Sequence, residues 1–334
     1  MGEPSVGRQL PVAVDAMGGD KAPAEIVAGA RQAALDLGIP VMLVGRPDEL
    51  GDTSGMEVVA ASEVITMDDD PGQGVRRKKD SSLVRAAEAV RDGRALAMVS
   101  AGNTGATMAS ALLRMGRIRG ITRPAIATPI PRPGSAPALL LDAGANAECT
   151  PGMLVQFAQM GAAYATVLHG TPAPTVGLLS IGEEKSKGTP LVKETHALLA
   201  GIPGMDFVGN VEGRDVLPAT VDVVVTDGFT GNVVLKTLEG ALRFFMDALG
   251  SVLDTDESTR TAAAVLLPHL EPLAAAFDPE NTGGAMLLGV DGVCVISHGS
   301  SSARAIASAV QVAHDVAVAG LVGLLKQAVS QPVE

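Results

Sequence analysis

Residues 97–111 read AMVSAGNTGATMASA, a succession of an apolar run, a glycine-rich polar loop and small helix-forming residues. The run at 97–100 shows no polar alternation, which is typical of a strand that is covered on both faces. The loop at 101–105 therefore leaves the carboxyl end of a buried strand and leads into a helix. This order of elements predicts an α/β protein.

The same succession recurs along the chain. Five further apolar runs end in loops rich in Gly, Asn, Asp, Ser or Thr, at 12–15, 139–142, 176–181, 221–226 and 293–297. Other predicted strands lie at 40–44, 57–60, 125–129 and 206–210. Alternation with Ala-rich helical stretches predicts a doubly wound α/β fold with a mostly parallel sheet. Ligands of such folds bind outside the carboxyl ends of the strands, where these polar loops lie.

The composition sets limits on the class of protein. The 334 residues are 47% hydrophobic and only 2% aromatic, so we expect a core of Ala, Val, Leu, Ile and Met. The formal net charge of −12 argues against nucleic acid as a partner, whereas loop amides and helix N-termini can still bind a small anion. With two cysteines, Cys149 and Cys294, and no apolar run of membrane-spanning length, we expect a cytoplasmic protein.

The domain organisation follows from the same alternation of strands and helices. We expect residues 1–10 to be a flexible leader and residues 11–325 to form a single catalytic domain. Residues 241–285 do not follow this alternation and predict a protruding helical hairpin. Its apolar side chains suit either contact with a bilayer or a dimer interface.

The loop in the opening stretch is the best predicted anion site. Gly102 and Gly105 allow close backbone approach, Asn103 and Thr104 add side-chain donors, and the helix that follows offers its N-terminal amides. The alternative is a helix N-cap loop that binds no ligand.

The loop after the first strand reads DAMGGD at 15–20 and supplies Asp15, Gly18, Gly19 and Asp20. It lacks the G-x-G-x-x-G spacing, so a dinucleotide site is weakly supported. The two aspartates could equally cap a turn and a helix.

Two later loops carry lysines and asparagine. The stretch GEEKSKG at 182–188 places Lys187 at a strand end, where it could polarise a carbonyl group or bind phosphate. Asn232 and Lys236 stand at positions i and i+4 of a predicted helix start and suit a developing oxyanion. The alternatives are a surface loop with local ion pairs and a capped helix with a surface lysine.

Arg76, Arg77, Lys78 and Lys79 form the sharpest charge feature of an acidic chain. A charge run is usually a solvated face, but this one precedes a predicted helix and could bind phosphate or an acidic partner.

The last loop contains His298, Gly299, Ser300 and Ser301. Because no G-x-S-x-G elbow is present, anion binding or capping is favoured over a catalytic triad. Cys149 and Cys294 are interpreted as packing residues, and the spacing of Cys, His and acidic residues predicts no metal site.

Taken in order, these loops resemble those of the bacterial phosphate acyltransferase (PlsX) family. The DAMGGD, SAGNTGA and GNVEGRD motifs are each distinctive, and the resemblance spans about residues 11–320. The matching stretches are 12–23, 61–69 (ASEVITMDD), 76–82 (RRKKDSS), 99–106, 140–146 (LLDAGAN), 177–188, 208–215, 223–237, 283–288 (GGAMLL) and 298–301.

The resemblance implies a cytosolic homodimer, peripherally associated with the membrane, that transfers a fatty acyl group from acyl carrier protein to inorganic phosphate. The acyl phosphate would then pass to a membrane acyltransferase of glycerol 3-phosphate. The implied fold is similar to that of isocitrate and isopropylmalate dehydrogenases and of phosphotransacetylase, and no cofactor is implied.

We assign expected roles from the loop chemistry together with this match. The loop from Gly102 to Gly105, with Ser300 and Ser301, would hold phosphate. Lys187 and Asn232 would stabilise a tetrahedral oxyanion. Three further residues would organise the site: Asp15, Asp20 and Asn146.

Docking of an acidic acyl carrier protein needs a local basic surface. Residues 76–79 are one candidate, and Arg114, Arg117 and Arg119 are another.

Three rivals remain from the sequence. A short-chain phosphate acyltransferase acting on acyl-coenzyme A shares the chemistry but not these motifs as a set. A nicotinamide-dependent dehydrogenase is disfavoured by the missing glycine fingerprint. A non-catalytic anion-binding module would not need polar loops after six strands.

Overall fold

The computed structural model describes residues 9–330 except 133, 135 and 219. The predicted leader at 1–10 therefore lies almost entirely outside the described residues. The chain divides into two compact units. The described residues up to Ile118 form the first unit together with Gly283–Gly323, and the second unit contains Arg119–Thr282 and the residues from Leu324 onward. The expectation of a single catalytic domain at 11–325 stays a prediction.

The described residues contain strands and helices in alternation. The strands are β1 (Val12–Asp15), β2 (Val41–Gly45), β3 (Glu57–Ala60), β4 (Ala97–Ser100), β5 (Ala125–Ile130), β6 (Ala138–Leu141), β7 (Thr175–Leu179), β8 (Asp206–Val211), β9 (Val223–Val225), β10 (Ala285–Leu288) and β11 (Val293–Ile296). The helices are α1 (Ala24–Asp36), α2 (Pro71–Arg77), α3 (Ser82–Arg91), α4 (Thr104–Arg114), α5 (Pro151–His169), α6 (Pro190–Leu199), α7 (Gly228–Leu253), α8 (Glu257–Phe277), α9 (Ala303–Val318) and α10 (Leu321–Ala328).

The strands of the first unit follow the order β3-β2-β1-β4-β11-β10. All neighbouring pairs are parallel except β10, which runs antiparallel to β11. Because β1, β4 and β11 are adjacent and parallel, the loops that follow them emerge at the same edge. The predicted parallel sheet is thus confirmed here, whereas β10 is a strand that the sequence did not predict.

The strands of the second unit follow the order β5-β6-β9-β7-β8. Strand β5 is antiparallel to β6, and the remaining pairs are parallel. The loops after β6, β9 and β7 therefore also emerge together. Strand β8 alternates between exposed and half-buried positions over its first four residues, because it has a neighbour on one side only within this unit.

The core is mainly aliphatic, as the composition predicted, but two of the few aromatic residues also lie in it. Phe157 and Tyr164 are fully buried on α5, so the expectation of a core without aromatic residues is wrong at this helix. Helices also pack closely. A Cβ on Gly29 of α1 would overlap the carbonyl oxygen of Ala303 at the start of α9.

The predicted helical hairpin consists of α7 and α8, which contact each other and are joined by three residues. It begins at Gly228 rather than at residue 241, and residues 278–284 lie beyond its second helix. Large apolar side chains are exposed along both helices: Phe244, Phe245, Met246, Val252, Val265, Leu266, Leu267 and Leu273.

Among the described residues, no single helix has the length and hydropathy of a membrane span, although the bent pair α9 and α10 meets both requirements when taken together.

Candidate functional site

Three polar loops of the first unit contact one another at the edge where β1, β4 and β11 end. The backbone amide of Asp20 donates to the carbonyl oxygen of Gly299 at 2.8 Å, and that of Ser297 donates to Ser100 at 2.9 Å. A Cβ on Gly18 would lie only 2.9 Å from the amide nitrogen of Gly102. The structure therefore brings the predicted loops at 15–20, 101–105 and 298–301 together.

Gly19 is required by its conformation as well as by its neighbours. Its φ of 117° lies in the region that side chains rarely adopt, and a Cβ would lie 3.2 Å from the carbonyl oxygens of Ala101 and Gly299. Glycine at this position lets the three loops approach each other closely.

Asp15 is buried beneath these loops. Its Oδ2 accepts a hydrogen bond from Ser100 Oγ at 2.7 Å, and its Oδ1 accepts one from the amide of Met17 at 3.3 Å. Burial raises the pKa of the Asp15 carboxyl, while hydrogen bonds from Ser82 and Ser100 oppose that rise. Because Asp15 is only 2% exposed, its position suits organisation of the loops rather than contact with a substrate.

The side chain of Asn103 already has partners. Its Oδ1 accepts from the amide of Ala106 at 3.0 Å and caps α4, and its Nδ2 donates to the carbonyl oxygen of Met67 at 3.0 Å. Asn103 is therefore the N-cap residue of α4. The amides of Thr104 and Gly105, in the first turn of α4, have no hydrogen-bond partner among the described residues. An anion could bind these amides and the positive end of the helix.

Gly105 also has a packing role. A Cβ at this position would lie 2.8 Å from Cγ of Pro71, the first residue of α2. The sequence did not predict this contact, because it depends on how α2 and α4 meet.

The loop after β11 presents hydroxyl and amide donors. Ser300 Oγ lies 2.8 Å from His298 Nδ1, and the amide of Ser300 donates to the same nitrogen at 3.2 Å. Since Nδ1 accepts from that amide, a neutral His298 ring carries its proton on Nε2. Ser301 is buried and its hydroxyl is 2.8 Å from that of Ser297, so Ser300 is the serine that solvent reaches.

In the second unit, Asp142 organises the loop after β6. Its Oδ1 accepts from the amides of Ile126 (3.0 Å), Gly144 (3.2 Å) and Ala145 (2.9 Å). Its Oδ2 accepts from both the amide and the Nδ2 of Asn146, at 2.8 and 2.9 Å. Burial raises the pKa of Asp142, and the donors of Ala145, Ile126 and Asn146 oppose that rise. An ionised carboxylate only accepts hydrogen bonds, so the five donors around Asp142 suit its ionised form.

The start of α7 lies directly on this loop. A Cβ on Gly228 would be 2.5 Å from the carbonyl oxygen of Asn146, and one on Gly231 would overlap the carbonyl oxygen of Asp142. Asp227 caps the helix by accepting from the amide of Thr230 at 2.9 Å. The residue after Gly231, Asn232, is exposed and lies beside Gly144, where a Cβ would be 3.6 Å from the Asn232 Oδ1.

Asn232 and Lys187 share one property. Neither side chain has a hydrogen-bond or ion-pair partner within the described part of the chain, and both are exposed at the end of neighbouring strands β9 and β7. The stem of Lys187 lies over Gly182, where a Cβ would be 2.9 Å from its Cγ. By contrast, Lys236 Nζ is 2.8 Å from Glu239 Oε2 on the same helix, so its ammonium group is already paired.

The basic run lies at the end of α2 and just after it. Lys78 Nζ bonds to Asp69 Oδ2 at 2.6 Å and to the carbonyl oxygen of Val64 at 2.8 Å, so it stabilises the local loop. Arg76, Arg77 and Lys79 are exposed and form no ion pair with any described residue.

The cysteines are not activated. Burial raises the pKa of Cys149 to about 11 and that of Cys294 to about 12, so both are protonated thiols at neutral pH. Within the described ranges, no group of three or more His, Cys, Asp or Glu side chains could hold a metal ion.

Several site residues were missed although the loops that contain or adjoin them were predicted. These are buried or half-buried groups that hold the loops rather than face solvent: Ser82, Ser100, Asp142 and Asp227. For most of them, a position at the end of a strand or the start of a loop was the available signal.

The fold belongs to a known structural class. A phosphotransacetylase from Streptococcus pyogenes has a TM-score of 0.64 at 16% identity, with 94% of this chain and 95% of that chain covered. A 4-hydroxythreonine-4-phosphate dehydrogenase from Klebsiella pneumoniae has a TM-score of 0.54 at 14% identity, with 92% and 100% covered. These likenesses show the fold alone, and they confirm the predicted dehydrogenase-like α/β class.

Relatives at higher identity define the family. The chain is 46% identical to a phosphate acyltransferase of Heliobacterium modesticaldum over 332 residues, which are 97% of this chain and 98% of that protein. It is 46% identical to a phosphate acyltransferase of Elusimicrobium minutum over 331 residues, 96% of each. A family model described as "Fatty acid synthesis protein" matches residues 10–323. The chain therefore belongs to the phosphate acyltransferase family of enzymes, as its loop motifs predicted.

Proposed function

We propose that this enzyme transfers a fatty acyl group from acyl carrier protein to inorganic phosphate, and so supplies acyl phosphate for phospholipid synthesis. The observation that carries the proposal is the 46% identity, over nearly the whole chain, to relatives named phosphate acyltransferase. The exposed donors at the strand ends support it, because acyl transfer to phosphate needs anion binding and oxyanion stabilisation.

The reaction proceeds by direct attack. A phosphate oxygen forms a bond to the thioester carbonyl carbon, the resulting tetrahedral oxyanion collapses, and the carbon–sulfur bond breaks. The carrier leaves as a thiolate that takes up a proton, and the product is acyl phosphate. Phosphate is itself the nucleophile, so the reaction does not need the protonated thiols of Cys149 and Cys294.

Lys187 and Asn232 stabilise the oxyanion. The ammonium group of Lys187 and the amide of Asn232 are exposed donors without intramolecular partners among the described residues. Lys236 plays a lesser part, because Glu239 already neutralises it.

Phosphate is held by backbone amide and hydroxyl donors of the polar loops. The free amides of Thr104 and Gly105 and the exposed hydroxyl of Ser300 carry this role. Asp15 and Asn146 hold their loops in place by hydrogen bonds. Gly18 and Gly19 do so by allowing neighbouring loops to approach closely. The Asn103 side chain caps α4, so backbone amides of that helix, rather than this side chain, donate to phosphate.

The acidic carrier docks on Arg76, Arg77 and Lys79, which are exposed and unpaired in the described part of the chain. Lys78 supports that surface through Asp69. The enzyme works as a homodimer in the cytoplasm, in peripheral contact with the inner face of the membrane, where a membrane acyltransferase of glycerol 3-phosphate consumes the product.

The proposal is tested by K187A and N232A, with K185A as the matched control because Lys185 is an exposed lysine of the same loop. Each of the first two variants should lower kcat by roughly ten- to a thousand-fold, the scale of one oxyanion donor. The control should keep the kcat of the wild type. Unchanged turnover in both K187A and N232A would remove these residues from the mechanism.

One rival shares the chemistry of acyl transfer to phosphate. In that rival, an acyl-coenzyme A would be the substrate instead of an acylated carrier protein. Comparison of kcat/KM for palmitoyl-acyl carrier protein and palmitoyl-coenzyme A decides between them, and a clear preference for the coenzyme A ester would favour the rival.

A further inference from the structure

A buried asparagine links the loop of Lys187 to the neighbouring strand. Asn210 lies on β8 and is only 6% exposed. Its Nδ2 donates to the carbonyl oxygen of Glu184 at 3.0 Å. Glu184 belongs to the loop at 182–188, so a side chain of β8 holds the loop that follows β7.

The same carbonyl oxygen fixes the backbone of Lys187. The amide of Lys187 donates to Glu184 at 2.9 Å and closes a tight turn. One oxygen atom therefore accepts a bond from Asn210 and a bond from the backbone of Lys187. A shift of Glu184 would move the turn and with it the origin of the lysine side chain.

His196 fixes the orientation of Asn210. It lies on α6, and its Nδ1 is 3.0 Å from Asn210 Oδ1. An amide oxygen can only accept, so the ring nitrogen is the donor in this bond. The ring also meets Phe207 edge-on at a centroid distance of 5.2 Å, which limits its rotation. With its oxygen engaged by His196, the Asn210 amide must direct its NH₂ group to Glu184.

We propose that Asn210, held in orientation by His196, is a positioning residue for Lys187. It touches no reacting atom and acts by holding the turn that carries the lysine. This inference rests on the proposed role of Lys187 in stabilising the oxyanion. A displacement of about 1 Å at a catalytic group is enough to cost a large factor in rate, so a bond to this turn affects turnover.

The test is a double-mutant cycle between Asn210 and Lys187. N210D keeps an acceptor for His196 but loses the donor to Glu184 and places a carboxylate beside that carbonyl oxygen. In the wild-type background it should lower kcat by roughly ten- to a hundred-fold. KM for phosphate and for acyl carrier protein should stay within about two-fold, because only the transition-state interaction is lost. In the K187A background, N210D should cause no further loss.

The outcomes separate the two proposals. An equal loss of kcat in both backgrounds would show that Asn210 acts independently of Lys187 and would overturn the inference. Unchanged kcat in N210D alone would also overturn it while leaving the role of Lys187 intact. Unchanged kcat in K187A would instead remove the lysine from the mechanism, and the inference with it.

A second variant covers the case in which N210D does not fold. H196A removes the donor to Asn210 Oδ1. The Asn210 side chain can still bond to Glu184, but its orientation is no longer fixed. It should lower kcat by a smaller factor, again only when Lys187 is present. The loss of kcat in H196A is measured against the wild type, and that in H196A/K187A against K187A. Two losses of the same size would contradict the proposed chain of contacts.

Discussion

Asp80 shows how a single side chain holds the basic surface in place. It follows residues 76–79, and its Oδ2 accepts from Ser62 Oγ at 2.6 Å while its Oδ1 accepts from Arg85 Nε at 2.8 Å. The hydrogen bond from the Ser62 hydroxyl, with those from Arg85 and the Ser62 amide, lowers the pKa of Asp80 to about 2. The contacts thus tie the end of the basic run to the loop after β3.

The lowered pKa of Asp80 predicts a pH-dependent contribution to stability. The unfolded carboxyl titrates near its ordinary value of 3.8 and the folded one at about 2, so the folded state favours the ionised form. The contribution is complete well above pH 3.8 and is lost as the pH falls through the folded pKa. D80N should lower Tm at neutral pH, and its difference from the wild type should shrink toward pH 3. D48N, at an exposed aspartate after β2, is the control, and a constant difference across this range for D80N would contradict the prediction.

The catalytic roles of Lys187 and Asn232 stay predictions, but the structure shows the surroundings of both side chains. Lys187 and Asn232 were singled out by type and by position after a strand, and the structure leaves both unpaired within its described part. Lys78 was assigned to docking, but Asp69 binds it through a loop fold that the sequence does not reveal. The pairing of Lys236 with Glu239, three residues later on one helix, was readable from spacing alone.

At the scale of elements, the strands were predictable because each is a short, continuous apolar run before a polar loop. Their ends differ from the predicted ones by only one or two residues at most positions, such as β9 at Val223–Val225 within the predicted 221–226. The antiparallel strands β5 and β10 were harder, because a short apolar run does not reveal the direction of its partner. Strand β10 also directly follows a stretch that resembled the end of the hairpin.

The contact between α7 and the Asp142 loop leads to a prediction at this scale. In G231A the added methyl group would overlap the Asp142 carbonyl oxygen, so the start of α7 must move away from the loop. We expect a loss of roughly 1–3 kcal/mol in the free energy of unfolding, as for other overpacked sites. Turnover should also fall, because Asn232 is the next residue. Thermal and denaturant unfolding with an activity assay measure both effects.

Gly240 is the matched control on the same helix. It is exposed, and a Cβ there would meet no atom within 4 Å. G240A should be neutral or stabilise the helix by up to about 1 kcal/mol. If G231A had the same stability and turnover as G240A, the result would contradict the close packing of α7 on the Asp142 loop.

At the scale of the whole molecule, the two compact units are not evident from the sequence. The chain passes between them near Ile118, near Thr282 and near Gly323, and each unit is assembled from two separate segments. No composition shift or long linker in the sequence marks these crossings. The fold class itself was predictable, because the alternation of strands and helices extends over nearly the whole chain.

The hairpin predicts how copies of the chain associate. Its turn is acidic, with Asp254, Asp256 and Glu257, which disfavours insertion of that end into an anionic membrane. The exposed apolar residues Phe244 and Leu266 instead lie at least about two and a half turns of helix away from it. We therefore expect this apolar surface to close the proposed homodimer.

The double variant F244S/L266S should sediment as a monomer, and its flotation with liposomes should equal that of the wild type. Sedimentation velocity and flotation assays measure the two properties. A dimer that has lost flotation would instead assign the apolar surface to the membrane.

The most direct test of phosphate-dependent acyl transfer is to follow the product. The purified chain is incubated with palmitoyl-acyl carrier protein and radiolabelled phosphate, in the presence of a chelator and without a nicotinamide cofactor. We predict labelled palmitoyl phosphate and free carrier thiol in equal amounts, with no release of thiol when phosphate is omitted. Release of free fatty acid without labelled acyl phosphate, or a requirement for the cofactor or a metal ion, would contradict the proposed function.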